Sequence, residues 1–164
     1  MLTAKLIVAE LKKLNVTHVV GLPDNSTAAV HDILQDDPDI ELISVCREGE
    51  AFAIASGLYV GGKRPVVLIQ CTGFFESGDA IRGTVINAQI PVVALIGYRG
   101  YHKMSNADEW VDTAAKLFEP TLKAWNIPYY IMKKDDDIRY ISEAFKRAED
   151  NSMPTAVLIV GICK

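Results

Sequence analysis

Three short segments lack the polar alternation of a half-exposed strand, and they constrain the fold more than any other feature of the chain. They lie at residues 66–70, 91–96 and 154–160. A strand with one face in solvent alternates apolar and polar residues, and these segments do not. Both of their faces must therefore be covered, as in a parallel sheet with helices on each side.

Segments with helical spacing separate these strands. Apolar residues recur every three or four positions at residues 4–14 and again at residues 138–148. Further strands are predicted at residues 18–20, 40–46 and 128–132, and further helices at residues 24–34, 48–59, 79–88 and 107–125. Because helices and strands alternate, we predict a three-layer α/β/α fold with a six-stranded, mainly parallel sheet, as a single domain over residues 1–164.

Composition and charge exclude several classes of protein. The chain has 164 residues, and its 17 Lys and Arg against 21 Asp and Glu give a net charge of −4. Nucleic-acid binding needs a basic surface, so we expect no such partner. No apolar run approaches the ~20 residues that cross a bilayer, so we expect no membrane partner. The three cysteines lack metal-ligand spacing, which favours a reducing, cytoplasmic compartment and no metal site in this chain.

The loops after the strands are where a ligand should bind, because such sheets bind ligands beyond the carboxyl ends of their strands. These loops are residues 22–26, 47–50, 71–77 and 97–103. Residues 72–78 contain no periodic pattern and are predicted as a loop. The helix that starts at Glu48 has little polar surface, so we predict that it is buried on most sides.

Glu48 itself has two interpretations. It stands where a predicted strand ends and a strongly apolar helix begins. It can be an acid that the positive end of the helix dipole favours. It can also be a buried carboxylate suited to proton transfer.

Two motifs resemble the pyrimidine-binding (PYR) domain of thiamine-diphosphate-dependent enzymes. Glu48 is followed by Ala51, Ala55 and Gly57, which is the family's spacing after its second strand. Gly21-Leu22-Pro23 resembles the G-x-P turn after the family's first strand.

Three further motifs resemble the phosphonopyruvate and sulfopyruvate decarboxylase branch of that family. Gln70-Cys71-Thr72-Gly73 is similar to its Q-N-S-G stretch, Gly97-Tyr98-Arg99-Gly100 to its G-W-R-G, and Ile127-Pro128-Tyr129 to its I-P-Y. The motifs keep their order and spacing over about residues 19–130, so the resemblance rests on the combination.

The resemblance implies roles for individual residues. Glu48 would contact N1′ of the cofactor's aminopyrimidine ring and promote loss of the proton from thiazolium C2. The residues that would lie against the cofactor are Pro23, Thr72, Gly73 and Phe74, and those that would face the substrate are Asn25, Arg99 and His102.

The substrate-facing residues each have a simpler alternative. Asn25 lies in a cluster of residues that commonly cap helices. Arg99 can form an ion pair with a loop acid, and His102 can simply be solvated.

The second domain of the family has no counterpart in this chain. The family binds the diphosphate and Mg²⁺ through a PP domain, which carries a G-D-G motif and a later asparagine. The chain has Gly78-Asp79-Ala80 instead, with no asparagine at suitable spacing. The resemblance therefore implies a hetero-oligomer in which a separate PP-type subunit holds Mg²⁺.

We expect one subunit of a thiamine-diphosphate-dependent 2-oxo acid decarboxylase, with a short anionic substrate such as sulfopyruvate or 3-phosphonopyruvate. The chain departs from the branch in substrate-facing loops. Residues 74–76 are Phe-Phe-Glu where the branch has Leu, Gly and Asn, and residues 108–110 keep the acids of its D-E-P-Q-H segment but lose the histidine.

Three alternatives remain open. One is a carboligase subunit like that of acetohydroxyacid synthase. Another is a non-catalytic assembly or regulatory subunit with the same fold. The last is a flavodoxin-like binding module, which Leu22-Pro23-Asp24 disfavours because it lacks phosphate-binding glycines.

Overall fold

A six-stranded sheet forms the centre of the protein in a computed structural model, which describes residues 1–106 and 110–164. The strands are β1 (His18–Gly21), β2 (Glu41–Ser44), β3 (Pro65–Gln70), β4 (Val93–Gly97), β5 (Tyr129–Met132) and β6 (Thr155–Ile159). Their order in the sheet is β2-β1-β3-β4-β6-β5, and every neighbouring pair is parallel. The predicted sheet is therefore confirmed.

Helices cover both faces of this sheet. One face carries α1 (Ala4–Lys13), α2 (Ala28–Gln35) and α7 (Arg139–Asn151). The other carries α3 (Glu48–Val60), α4 (Cys71–Glu76), α5 (Gly78–Ala80), which continues as a π-helix (Ile81–Ile86), and α6 (Thr113–Ala124). Short 3₁₀ helices lie at Tyr101–Ser105 and Asp135–Ile138. Within the described ranges, no helix has both the length and the apolar character needed to cross a membrane.

The strands divide their side chains between two hydrophobic cores. In β3, Val66 and Leu68 pack into the core under α1, α2 and α7, whereas Val67 and Ile69 pack into the core under α3 to α6. All four are fully buried. The continuous apolar pattern of this strand follows directly, because neither face meets solvent.

The chain reverses its direction across the sheet between β1 and β3. β2 lies on one side of β1, and β3 and the later strands lie on the other. A crevice opens outside the carboxyl ends of the strands at such a reversal. Gly21 ends β1 there, and a Cβ on it would overlap the Leu68 carbonyl of β3. The G-x-P turn therefore begins where two strands pack too closely for a side chain.

Several predicted segments differ in the structure: the helix predicted from residue 24 begins at Ala28, and that predicted over residues 79–88 is largely a π-helix. Residues 72–78 are not a loop, because α4 starts directly after β3 and its turns are closed by local bonds, such as that from the Ser77 hydroxyl to the Gly73 carbonyl at 2.6 Å. The helix predicted from residue 107 begins at Thr113, where the Asp112 side chain accepts a bond from the Ala114 amide. Residues 107–109 lie outside the described residues.

The α3 helix is less buried than its composition predicts. Phe52 and Ala55 are among its buried residues, but a second set of small and apolar residues is exposed. We call this set the α3 face; it consists of Ala53, Ile54, Gly57 and Val60. Composition alone cannot separate a core helix from a helix with an exposed apolar face, because both lack polar residues.

His31 in α2 gives the fold a dependence on pH. Its side chain is buried, and its Nε2 atom has no hydrogen-bond partner. Burial lowers the pKa of the imidazole below its ordinary value of 6.5, although the Asp24 carboxylate and the Leu22 backbone act in the opposite direction. The unfolded chain therefore binds this proton more readily, so stability decreases as the pH falls below about 6.5.

We expect His31→Gln to weaken this pH dependence. The free energy of unfolding of the wild type should fall between about pH 7 and pH 5, and that of the variant should fall less, because the titrating group is gone. Urea unfolding at both pH values measures the difference. His102→Gln, a change at an exposed histidine, is the matched control. A wild-type pH dependence in His31→Gln would contradict the assignment.

Candidate active site

Glu48 is the first residue of α3 and the fourth residue after the end of β2. Its side chain is half-buried. Among the described residues, none forms a hydrogen bond or ion pair with its carboxylate. A carboxylate without a local partner, at the start of an apolar helix, is available to a ligand.

Gly73 in α4 lies directly against this carboxylate. A Cβ built on Gly73 would overlap the Cγ, Cδ and Oε1 atoms of Glu48. The position of the Glu48 side chain thus depends on the absence of a side chain at residue 73. The structure brings these two predicted site residues together, from the segments after β2 and β3.

The first turn of α3 is held by two other carboxylates. Glu50 Oε2 accepts bonds from the backbone amides of Cys46 and Arg47, at 3.0 and 3.3 Å. Glu76, at the end of α4, accepts bonds from the Gly49 amide at 2.9 Å and from Arg47 Nε at 2.8 Å. These two donors lower the pKa of Glu76, with the larger effect from Gly49.

The role of Glu76 is missing from the sequence analysis, which treats the residue only as a departure from the family pattern. Its spacing from Gly73 holds a usable signal. Residues three apart in a helix lie on the same face, so an acid at residue 76 is directed to the same neighbour as Gly73.

The loop after β1 places Pro23 and Asn25 at the same edge of the sheet, and both are exposed. The neighbouring Asp24 organises this loop. Its carboxylate accepts bonds from the Ser26 amide and the Thr27 hydroxyl, both at 2.6 Å. Asp24 also borders the end of β4, where a Cβ on Gly97 would be 3.0 Å from its Oδ1 atom. These bonds stabilise the loop and do not cap α2, which begins at Ala28 and whose N-cap residue, Thr27, makes no side-chain cap hydrogen bond.

Arg99 follows β4 at the same edge, and 59% of its side chain is exposed. A terminal nitrogen of Arg99 lies 3.8 Å from Asp112 Oδ2, so the ion pair given as its alternative is present, though long. The preceding Tyr98 anchors the segment, because its hydroxyl donates to the Ala115 carbonyl at 3.0 Å and contacts Glu119 at 3.2 Å. Burial, with a smaller effect of Glu119, raises the pKa of Tyr98.

His102 lies further along this edge, in the exposed 3₁₀ helix after β4. Its Nε2 atom would be 3.8 Å from a Cβ on Gly161, the second residue after β6. The structure shows no contact between His102 and Glu48 among the described residues.

The two remaining predicted residues differ in exposure. Thr72 is exposed, and its hydroxyl donates to Gln70 Oε1 at 3.0 Å. Phe74 is 2% exposed, and its ring packs against Phe118 and Trp125 at centroid distances of 5.2 and 5.6 Å. Only the backbone of Phe74 is therefore left to contact a ligand.

Two clefts lie near the start of α3. One of about 360 Å³ is lined by residues that include Arg47, Gly49 and Glu76. Another of about 500 Å³ lies between α5 and the end of α6, beside Trp125. Glu48 is not among the residues that line either cleft. Residues 1–106 and 110–164 contain no group of three or more His, Cys, Asp or Glu side chains that could hold a metal ion.

The chain is similar to a known protein family and to named enzyme subunits. Residues 1–117 match the family described as thiamine pyrophosphate enzyme, N-terminal TPP binding domain. The chain is 31% identical to a sulfopyruvate decarboxylase subunit alpha of Methanococcus maripaludis, over 88% of this chain and 86% of that protein. It is 32% identical to the same subunit of Methanocaldococcus jannaschii, over 90% and 87%.

Longer proteins match over part of their length. A phosphonopyruvate decarboxylase of Streptomyces viridochromogenes is 31% identical over 61% of this chain, which corresponds to 25% of that enzyme. The fold is similar to that of a solved thiamin diphosphate-dependent enzyme of Mycobacterium smegmatis, with a TM-score of 0.73 and 20% identity. That match covers 98% of this chain and 30% of the solved one.

The sequence match and the fold agree. The chain belongs to the thiamine pyrophosphate enzymes, as an N-terminal TPP-binding domain in the group that includes the sulfopyruvate decarboxylase alpha subunits.

Proposed function

We propose that this chain is the PYR-type subunit of a thiamine-diphosphate-dependent decarboxylase of short, anionic 2-oxo acids, such as sulfopyruvate or 3-phosphonopyruvate. One observation carries the proposal most directly. The Glu48 carboxylate has no partner in the described chain and lies against a glycine at the switch-point edge of the sheet. The names of the relatives support the choice of reaction and substrate class.

The residues around Glu48 fit a flat heteroaromatic ring. Gly73 is buried, and the absence of its side chain leaves room for the Glu48 side chain, so the carboxylate keeps the position from which it would meet a ring. Pro23, Thr72 and the backbone of Phe74 would complete the contact. Thiamine diphosphate supplies the electron sink that a 2-oxo acid needs to lose carbon dioxide.

Glu48 would act on the proton of a ring nitrogen. A carboxyl group can both donate and accept this proton, which is the requirement for general acid–base work. Its position at the edge of an apolar core limits the access of water on one side. An amide in the same place can form a hydrogen bond but cannot transfer the proton.

The substrate's negative groups would meet Arg99, with Asn25 and His102 in supporting positions. A guanidinium group binds carboxylate, phosphonate or sulfonate oxygens through paired hydrogen bonds. The present ion pair of Arg99 with Asp112 is long at 3.8 Å and exposed. A pair of that kind is weak in water, so Arg99 can exchange it for a substrate anion.

A separate PP-type subunit would hold the diphosphate and Mg²⁺. The Glu48 carboxylate supports this, because it is half-buried and has no partner among the described residues. The α3 face supports it as well, since its apolar residues are exposed and a contiguous apolar patch favours a protein partner. A reducing, cytoplasmic compartment belongs to the same proposal, supported by three cysteines that are all free thiols.

Co-purification with the partner tests the proposal as a whole. The tagged chain is isolated from its native cells, and the eluate is assayed for thiamine diphosphate, for a G-D-G subunit and for carbon dioxide release from sulfopyruvate and 3-phosphonopyruvate. We expect all three together. Product formed only with an added acceptor aldehyde would indicate a carboligase. A chain that elutes alone and inactive would support the non-catalytic alternative.

We predict that Glu48→Gln removes proton exchange at C2 of the bound cofactor. The rate should fall by about 10²–10⁴-fold, the usual contribution of a general acid–base group. Proton NMR of the assembled enzyme in deuterated buffer measures the rate. Glu143→Gln, in α7 on the opposite face of the sheet, is the matched control. A near-normal rate in Glu48→Gln would remove Glu48 from this role.

We predict that Gly73→Ala separates activity from stability. The added Cβ displaces the Glu48 side chain, so C2 exchange should fall about as far as in Glu48→Gln. The displaced atoms belong to a flexible side chain, and alanine favours a helix by roughly 0.5–1 kcal/mol over glycine, so stability should change little.

Gly57→Ala in α3 is the control for the stability of the isolated chain, because its Cβ would meet open space. Urea unfolding measures both variants. Full exchange activity in Gly73→Ala would show that the contact with Glu48 is unimportant.

A further inference from the structure

Two residues of α4 face the first turn of α3. Gly73 lies against the Glu48 side chain, and Glu76, three residues later, bonds to the residues on either side of Glu48. Residues three apart share a helix face. Both therefore act on the same turn, one through close packing and the other through its charge.

The hydrogen bonds of this turn leave one carboxylate free. The first amides of a helix have no partner inside the helix. The Gly49 amide donates to Glu76 Oε2 at 2.9 Å, and the Glu50 amide donates to the Arg47 carbonyl at 3.1 Å. The amides before the helix, Cys46 and Arg47, are occupied by Glu50. Among the described residues, the Glu48 carboxylate accepts none of these bonds.

The Arg47 side chain is a second kind of donor, after the backbone amides, that is close enough in sequence to bond to the Glu48 carboxylate. It is adjacent in sequence, long, and 72% exposed, so it could turn to the neighbouring carboxylate. Instead, its Nε and a terminal nitrogen both bond to Glu76 Oε1, at 2.8 and 2.5 Å. Glu76 thus binds one donor from each neighbour of Glu48, the Arg47 guanidinium and the Gly49 amide.

We propose that Glu76 is a positioning residue for Glu48: it occupies Gly49 and Arg47, and thereby leaves the Glu48 carboxylate free for the cofactor ring. This inference rests on the proposed function of Glu48. Without Glu76, the same two donors attract the nearest remaining carboxylate. Glu48 then caps its own helix or pairs with Arg47, and turns away from the crevice.

The mechanism predicts a rescue that simple damage to the fold would not give. Glu76→Ala should lower C2 exchange in the assembled enzyme by between about 10- and 100-fold, the effect of a small misplacement of a reacting group. Removal of Arg47 as well, in Glu76→Ala/Arg47→Ala, should restore part of the rate, because the competing cation is gone. Glu76→Gln, which keeps an acceptor for Gly49, should lie between wild type and Glu76→Ala.

A measurement on the isolated chain keeps this test independent of activity. The side-chain carboxyl carbon of Glu48 is observed by NMR and assigned by its loss in Glu48→Gln. We expect its signal to shift in Glu76→Ala and to move back in the double variant. Glu149→Ala, which breaks a similar arginine pair at 2.7 Å with Arg64, should leave both the signal and the exchange rate unchanged.

The outcomes separate the two proposals. If the wild type exchanges the C2 proton and Glu76→Ala does so equally fast, the positioning role is wrong and the proposed function stands. If the wild-type assembly shows no exchange, the proposed function fails, and the Glu48 signal still decides the positioning role. An unchanged signal in Glu76→Ala overturns it.

Discussion

The contact between Gly73 and Glu48 is the constraint on which the site depends. It joins the segment after β2 to the segment after β3, across the point where the chain reverses in the sheet. A helix that starts directly at the end of β3 brings the glycine to this place, so the parallel order of the strands and the position of the carboxylate are linked. The fold places both residues at this edge, and the missing side chain at residue 73 leaves room for the Glu48 side chain.

The glutamates around this contact differ in their hydrogen bonds. Three glutamates lie at the start of α3, where the helix dipole favours negative charge. Glu50 and Glu76 each accept at least two bonds, whereas the Glu48 carboxylate accepts none from the described residues. Glu50 and Glu76 thus stabilise the start of the helix, and Glu48 is left for the role proposed for it, although all three are the same amino acid.

The sequence predicts the sheet well, because residues 66–69 are all fully buried and each of them is therefore apolar. Glu48 is also predictable, since a charge stands out at the start of an apolar helix. The α4 helix is not predictable, because Gly73 is a poor helix former and the Ser77 hydroxyl bond that closes the helix forms only on folding. Glu76 and the buried Phe74 ring are hidden for the same reason, since their partners in α3 and α6 are distant in sequence.

The exposed α3 face adds a consequence for how such an enzyme is controlled. α3 has 13 residues and is therefore about 20 Å long, with Glu48 at one end and Val60 at the other. A subunit that covers the α3 face contacts the same helix that carries Glu48. If docking tilts the helix, the Glu48 carboxyl group moves, and it moves further the more distant it is from the point of contact. If the proposed partner covers this face, its docking sets the orientation of α3 and, with it, the position of the Glu48 carboxylate.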